Sequence, residues 1–136
     1  MKQIILRSDG GARGNPGPAG IGVVLEADGQ IVAEISEYIG EATNNVAEYS
    51  ALIAGLKKAK ELAATTVQCF LDSQLIVEQM NLRYKVKNPD LGKLFLQAQN
   101  LAHTFSKVTY QHVPRELNKA ADALVNKAID SAVGAS

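Results

Sequence analysis

The hydrophobic period first changes near residue 45, and that change constrains the fold more than any other feature. Before it, apolar residues recur every second position. In residues 2–10, Ile4, Leu6 and Ser8 fall on one face and Ile5, Arg7 and Asp9 on the other, as in a half-buried strand. A glycine- and proline-rich loop at 11–18 leads to two more apolar runs, 20–26 and 31–38. Asp28-Gly29 between them is the dipeptide of a tight hairpin turn.

After Thr43-Asn44-Asn45, which offers N-caps, the period becomes helical: Tyr49, Leu52, Ile53 and Leu56 mark a helix to about Leu62. A short apolar strand at 67–71 ends in Asp72, a brief helix covers 73–80, and a polar, basic loop covers 81–90. Leu91, Leu94, Phe95, Ala98, Leu101, Ala102 and Phe105 mark a second long amphipathic helix, residues 108–112 a strand. Leu117, Ala120, Ala121, Leu124, Val125, Ala128 and Ile129 mark a closing helix. The order βββαβααβα predicts an α/β fold, a mixed five-stranded sheet flanked by helices. Right-handed crossovers place its last two strands parallel to the first. The expectation is one domain over 1–136, with Gly134–Ser136 as a short tail.

Composition excludes more than it selects. No apolar run reaches the roughly 18 residues that a membrane span requires, and the first six residues run into Arg7 and Asp9 without a signal-peptide pattern. One cysteine, Cys69, forms no internal disulfide, so a cytoplasmic location is expected. Fourteen Lys and Arg balance fourteen Asp and Glu, so any nucleic-acid contact must come from local basic patches or bound cations. Nothing points to an obligate protein partner, and a monomer is expected.

Four of the acids stand apart from the ordinary surface set. Asp9 ends the first strand beside Gly10-Gly11, and Asp72 ends the first crossover strand. Open α/β sheets carry their sites at such carboxyl ends. Glu48, in the first turn of the first long helix, and Asp122, early in the last, lie on the edges of apolar stripes. If both helices pack on the sheet, four carboxylates converge at one end of it. Such a cluster calls for hard divalent cations, Mg²⁺ or Mn²⁺ rather than zinc, and two such ions suit phosphodiester hydrolysis. Spacing alone leaves this reading level with a plainer one, in which these are helix-start and turn acids.

The words around the acids are more specific. Asp9-Gly10-Gly11-Ala12-Arg13-Gly14-Asn15-Pro16-Gly17-Pro18-Ala19-Gly20 resembles the first motif of type 1 ribonucleases H, and Thr43-Asn44-Asn45-Val46-Ala47-Glu48 the second. Leu71-Asp72-Ser73-Gln74 is similar to the third motif, and His112 with Asn118-Lys119-Ala120-Ala121-Asp122-Ala123-Leu124 to the fourth. The resemblance covers essentially the whole chain in the family's order. It implies a ribonuclease H-like fold and an endonuclease that cuts the RNA strand of an RNA–DNA hybrid duplex, leaving 5′-phosphate and 3′-hydroxyl ends. It makes Asp9, Glu48, Asp72 and Asp122 the ligands of two Mg²⁺ ions, with Mn²⁺ as a substitute, and Asp9 the ligand common to both. His112 becomes a mobile base assisting proton movement or product release, while His103 matches no motif and is read as structural.

The resemblance also assigns the substrate contacts. Asn15, Asn44, Asn45 and Gln74 match positions that meet the minor groove, where amides can bond 2′-hydroxyls. Thr43 with Asn15 would hold a phosphate of the DNA strand, and Gly10 and Gly11 would let backbone approach the duplex closely. The chain departs from many bacterial members in lacking a basic, tryptophan-bearing protrusion after the third motif. Arg83, Lys85 and Lys87 are a reduced substitute or a solvated loop. Competing readings are a non-catalytic hybrid-binding module of the same fold, a transposase, integrase or junction-resolvase core, and a hydrolase of small phosphate esters.

Overall fold

The computed structural model describes residues 2–134; Met1 and most of the tail expected at 134–136 lie outside the described residues. Five strands, β1 (Gln3–Ala12), β2 (Gly17–Ala27), β3 (Gln30–Ala42), β4 (Thr66–Leu71) and β5 (Lys107–His112), form one sheet in the order β3-β2-β1-β4-β5. The first three pair antiparallel, and β4 and β5 join parallel to β1. The helices are α1 (Asn44–Glu61), α2 (Gln74–Met80), α3 (Pro89–Ala102) and α4 (Lys119–Val133). The expected architecture is therefore the observed one.

The alternation of β1 sets the two faces. Ile4, Leu6 and Ser8 are fully buried toward α1, together with Leu25 and Val23 of β2 and Cys69 and Leu71 of β4. Tyr49, Leu52 and Leu56 of α1 fill the same core. Thr43 caps α1 by accepting a hydrogen bond from the Val46 amide at 3.2 Å. The other face is covered over β1–β3 by α4, whose Ala121, Val125 and Ile129 are buried.

Several boundaries differ from the sequence reading, among them the start of β2 at Gly17 and the end of β3 at Ala42. The first strand does not stop at Gly10: Gly10 and Gly11 pair with Ile21 and Gly20, so the loop between β1 and β2 shrinks to residues 13–16. Phe105 is buried but lies beyond the end of α3, in the turn before β5. Leu117 does not belong to the closing helix. It sits in a 3-10 turn at Arg115–Leu117, 63% exposed, and Asn118 at φ −123° separates that turn from α4. The connection 81–88 between α2 and α3 contains no helix, consistent with the absence of a protrusion.

Candidate functional site

Two close approaches build the site. A side chain on Gly10 would place its Cβ 2.1 Å from the Ala47 carbonyl oxygen, so glycine is what lets the first turn of α1 rest on β1. On the opposite face, a Cβ on Gly22 would fall 2.1 Å from the Ala121 carbonyl oxygen, which seats the first turn of α4. Gly22 is the cross-strand partner of Asp9. The starts of α1 and α4, near Glu48 and Asp122, are thus pressed from opposite faces against adjoining residues of β1 and β2, Gly10 and Gly22.

The pairing of β1 with β4 ends at Ser8–Leu71, so β1 outruns its neighbour and leaves a gap beside Asp9 and Gly10. Glu48 enters that gap and its Oε1 accepts a hydrogen bond from the Gly10 amide at 3.1 Å. Asp72, the first residue past β4, closes it from the other side. One carboxylate oxygen from each of Asp9, Glu48 and Asp72 lies within 4.8 Å of the others. Asp122 lines the same pocket but stands outside that triplet. The pocket, about 600 Å³, is also lined by Gly10, Gly11, Asn44 and Asn45.

Burial and mutual repulsion govern the acids. Asp9 and Glu48 are 7% and 6% exposed. Burial pushes the Asp9 carboxyl up to about 7; a bond from Glu48 partly offsets this, and the charges of Asp72 and Asp122 add to the rise. Burial, then the neighbouring Asp9, raises Glu48 well above the ordinary carboxylate range. Glu48 Oε2 is buried with no hydrogen-bond partner, and burial favours the uncharged form of both carboxyls. Asp72 is raised by burial against the pull of Asn118 and Arg115. Asn118 is itself buried, and its Nδ2 donates to the Ser8 carbonyl at 2.8 Å.

Cations fit this pocket. Its donors are all oxygens, one of them buried without a partner, and the geometry holds carboxylates together that repel each other.

The expected substrate-contact residues divide into two groups. Asn44 and Asn45 line the pocket, and Asn15 and Thr43 adjoin Asn44 without lining it: Asn44 Oδ1 accepts from the Ala12 amide at 2.9 Å, and Asn15 Oδ1 accepts from the Asn44 amide at 3.0 Å. These bonds tie the β1–β2 loop to the start of α1 and leave both amide nitrogens free to donate outward. Gln74, at the start of α2, and His112, exposed at the end of β5, do not line the pocket. Sequence reasoning assigned no role to Arg13 and Arg115, which line it; Arg13 stands inside the first acid-bearing word, and Arg115 between His112 and the word that carries Asp122. Arg115 comes within 3.8 Å of Asp122.

A 3-2-1-4-5 mixed sheet whose first and fourth strands and two helix starts bring acids to one end defines the ribonuclease H-like class. A family model described as "Reverse transcriptase-like" matches residues 7–128. The chain is 54% identical over 132 residues to the "Bifunctional protein Rv2228c" of Mycobacterium tuberculosis, covering 96% of this chain and 36% of that protein. It thus spans about a third of the length of that curated relative. It is 37% identical over 135 residues to a "Ribonuclease H" of Sulfurovum sp., covering 90% of this chain and 88% of that protein. The crystal structure of LC11-RNase H1 in complex with RNA/DNA hybrid superposes with a TM-score of 0.91 at 47% identity, covering 96% of this chain and 99% of that one. The chain belongs to the ribonuclease H family, type 1.

Proposed function

We propose that this chain is an endonuclease that hydrolyses the RNA strand of RNA–DNA hybrids, with Asp9, Glu48, Asp72 and Asp122 holding two Mg²⁺ ions and the products ending in 5′-phosphate and 3′-hydroxyl. The observation that carries this reading is the convergence of Asp9, Glu48 and Asp72 within 4.8 Å, with one buried carboxylate oxygen lacking any donor. Bound there, divalent cations neutralise the acids, activate water and stabilise the leaving oxygen. Mn²⁺ has the same oxygen preference and substitutes.

The chain supplies the rest. The Gly10 amide and Asn118 fix the Glu48 and Asp72 carboxylates, so little reorganisation remains at the moment of reaction. The amides of Asn15, Asn44, Asn45 and Gln74, with Thr43 and the backbone of Gly10 and Gly11, receive the duplex from its minor groove. His112, paired with Leu71 one residue before Asp72, is the mobile base that assists proton movement or product release. The hybrid-bound relative supports the choice of substrate. The domain works as a monomer in the cytoplasm, and no described helix is long and apolar enough to cross a membrane.

The test is cleavage of matched labelled duplexes (RNA–DNA, RNA–RNA and DNA–DNA) with Mg²⁺, Mn²⁺ or EDTA, with the product ends mapped. Cutting confined to the RNA of the hybrid, abolished by EDTA and leaving 5′-phosphates, is expected. Tight hybrid binding without cleavage under any metal would instead mark a binding module.

A further inference from the structure

We propose that Asn126 is a positioning residue for Asp122, turning that carboxylate toward the metal pocket, and that Arg13 sets the direction of the Asn126 amide. The inference rests on the metal-binding reading above and adds to it a part that the four acids alone do not explain. Asp9, Glu48 and Asp72 are buried or pinned by backbone and buried amides. Asp122 has no such anchor. Its side chain is 33% exposed, lies outside the tight triplet and has Arg115, at 3.8 Å and 80% exposed, as its charged neighbour.

Asn126 lies one helical turn further along α4, on the same face as Asp122. Its Nδ2 donates to the Asp122 backbone carbonyl at 3.2 Å and reaches Asp122 Oδ2 at 3.5 Å. That contact engages Oδ2, while Oδ1 is the atom nearest Arg115 at the pocket wall. An asparagine amide can present either end, and here the choice is made by charge. Arg13 Nη2 stands 3.4 Å from Asn126 Oδ1, so the oxygen turns to the cation and the nitrogen to the carboxylate. Arg13 is held in turn by Asp130, another helical turn on, at 2.7 Å. Asp130, Arg13, Asn126 and Asp122 form one line from the β1–β2 loop to the pocket, and both Arg13 and Asn126 border it.

The experiment is thermal unfolding of the whole chain across a Mg²⁺ or Mn²⁺ titration, beside hybrid-cleavage kinetics over the same metal range. Wild type is compared with Asn126→Ala and Asn126→Gln. Alanine is the better helix former, so Asn126→Ala is expected to keep the metal-free Tm. It is expected to need about threefold to tenfold more metal to reach half of the metal-induced rise in Tm and half-maximal cleavage. Its KM for hybrid at saturating metal should not change. Asn126→Gln keeps a donor at i+4 spacing and should stay near wild type. An unchanged metal midpoint in Asn126→Ala would overturn the assignment, as would a loss of Tm in EDTA with no change in midpoint. If wild type itself shows no metal-induced rise, the metal-site reading fails first, and the two failures are thereby told apart.

Discussion

Gly10 and Gly11 are adjacent in sequence, both lie in β1 and both border the pocket, yet alanine at the two positions should have opposite consequences. At Gly10 the new Cβ would meet three backbone atoms: Ala47 O at 2.1 Å, Ala47 C at 2.2 Å and Glu48 N at 2.6 Å. None can rotate away, so the start of α1 must back off by about 1 Å, and the strain falls near the upper end of overpacking costs, about 3 kcal/mol. For a domain of this size that lowers Tm by roughly 10 °C. The same displacement carries Glu48 off the Gly10 amide, and a 1 Å misplacement in a catalytic site costs about 100-fold in rate. At Gly11 the nearest atoms are Val125 Cγ1 at 3.9 Å and Asn44 Oδ1 at 4.0 Å, which is ordinary contact. Gly11→Ala should therefore leave stability unchanged or raise it by about 0.5 kcal/mol through a stiffer unfolded chain. Differential scanning calorimetry in EDTA, followed by cleavage rates in Mg²⁺, reads both effects. Equal Tm for the two variants would refute the packing argument and, with it, the account of how Glu48 reaches Asp9.

Proton linkage gives a second expectation for the metal-free protein. Asp9 is raised from 3.8 to about 7, so its contribution to stability is fully present below about pH 4 and is lost as pH rises through about 7. In EDTA at pH 8, Asp9→Asn should be more stable than wild type by about 2 kcal/mol, part of the ~4 kcal/mol that the whole shift represents. Near pH 4 the two should converge, and a variant less stable than wild type at pH 8 would contradict the repulsion argument. The basic connection after α2 offers a third test. Arg83 is engaged by both oxygens of Glu78, at 2.8 and 2.6 Å, so it is less available to a duplex than Lys85 or Lys87. Removing both lysines should weaken hybrid binding and flatten its salt dependence by up to about two phosphate contacts, whereas Arg83→Ala alone should do little. A larger effect from Arg83→Ala would reverse that ranking.

What the sequence disclosed, and what it hid, follows from where each signal is stored. Alternation in β1 set Ile4, Leu6 and Ser8 on one face, the face that the structure buries, because a half-buried strand writes its burial into a period of two. The Asp28-Gly29 turn was equally plain, and both residues have positive φ, 54° and 76°, as a two-residue hairpin turn demands. Glu48 and Asp122 were legible as acids on stripe edges. The glycines were not legible in the same way. A run of Gly11, Gly14 and Gly17 reads as loop; only the pairing with β2 reveals that Gly11 is a strand residue, and only the closeness of α1 reveals why position 10 is glycine. Leu117 imitated the helical period of α4. The break at Asn118 exists because that side chain bonds the Ser8 carbonyl across the fold, a long-range use that no local pattern records. The standing of Asp122 outside the triplet, and the alignment of Arg13 with Asn126, likewise depend on how α4 sits on β2.

In the proposed function, four carboxylates from two strand ends and two helix starts act as one metal-dependent hydrolytic site. The most direct measurement is single-turnover cleavage of a labelled RNA–DNA hybrid by wild type and by Asp9→Asn, Glu48→Gln, Asp72→Asn and Asp122→Asn, each checked for folding and for hybrid affinity in Ca²⁺. All four variants should remain folded and bind hybrid, and each should lose at least about 100-fold in rate, a loss of ~2.7 kcal/mol of transition-state stabilisation. Cleavage at wild-type rate by any folded variant would remove that acid from the site, and full activity of Asp9→Asn would contradict the account as a whole.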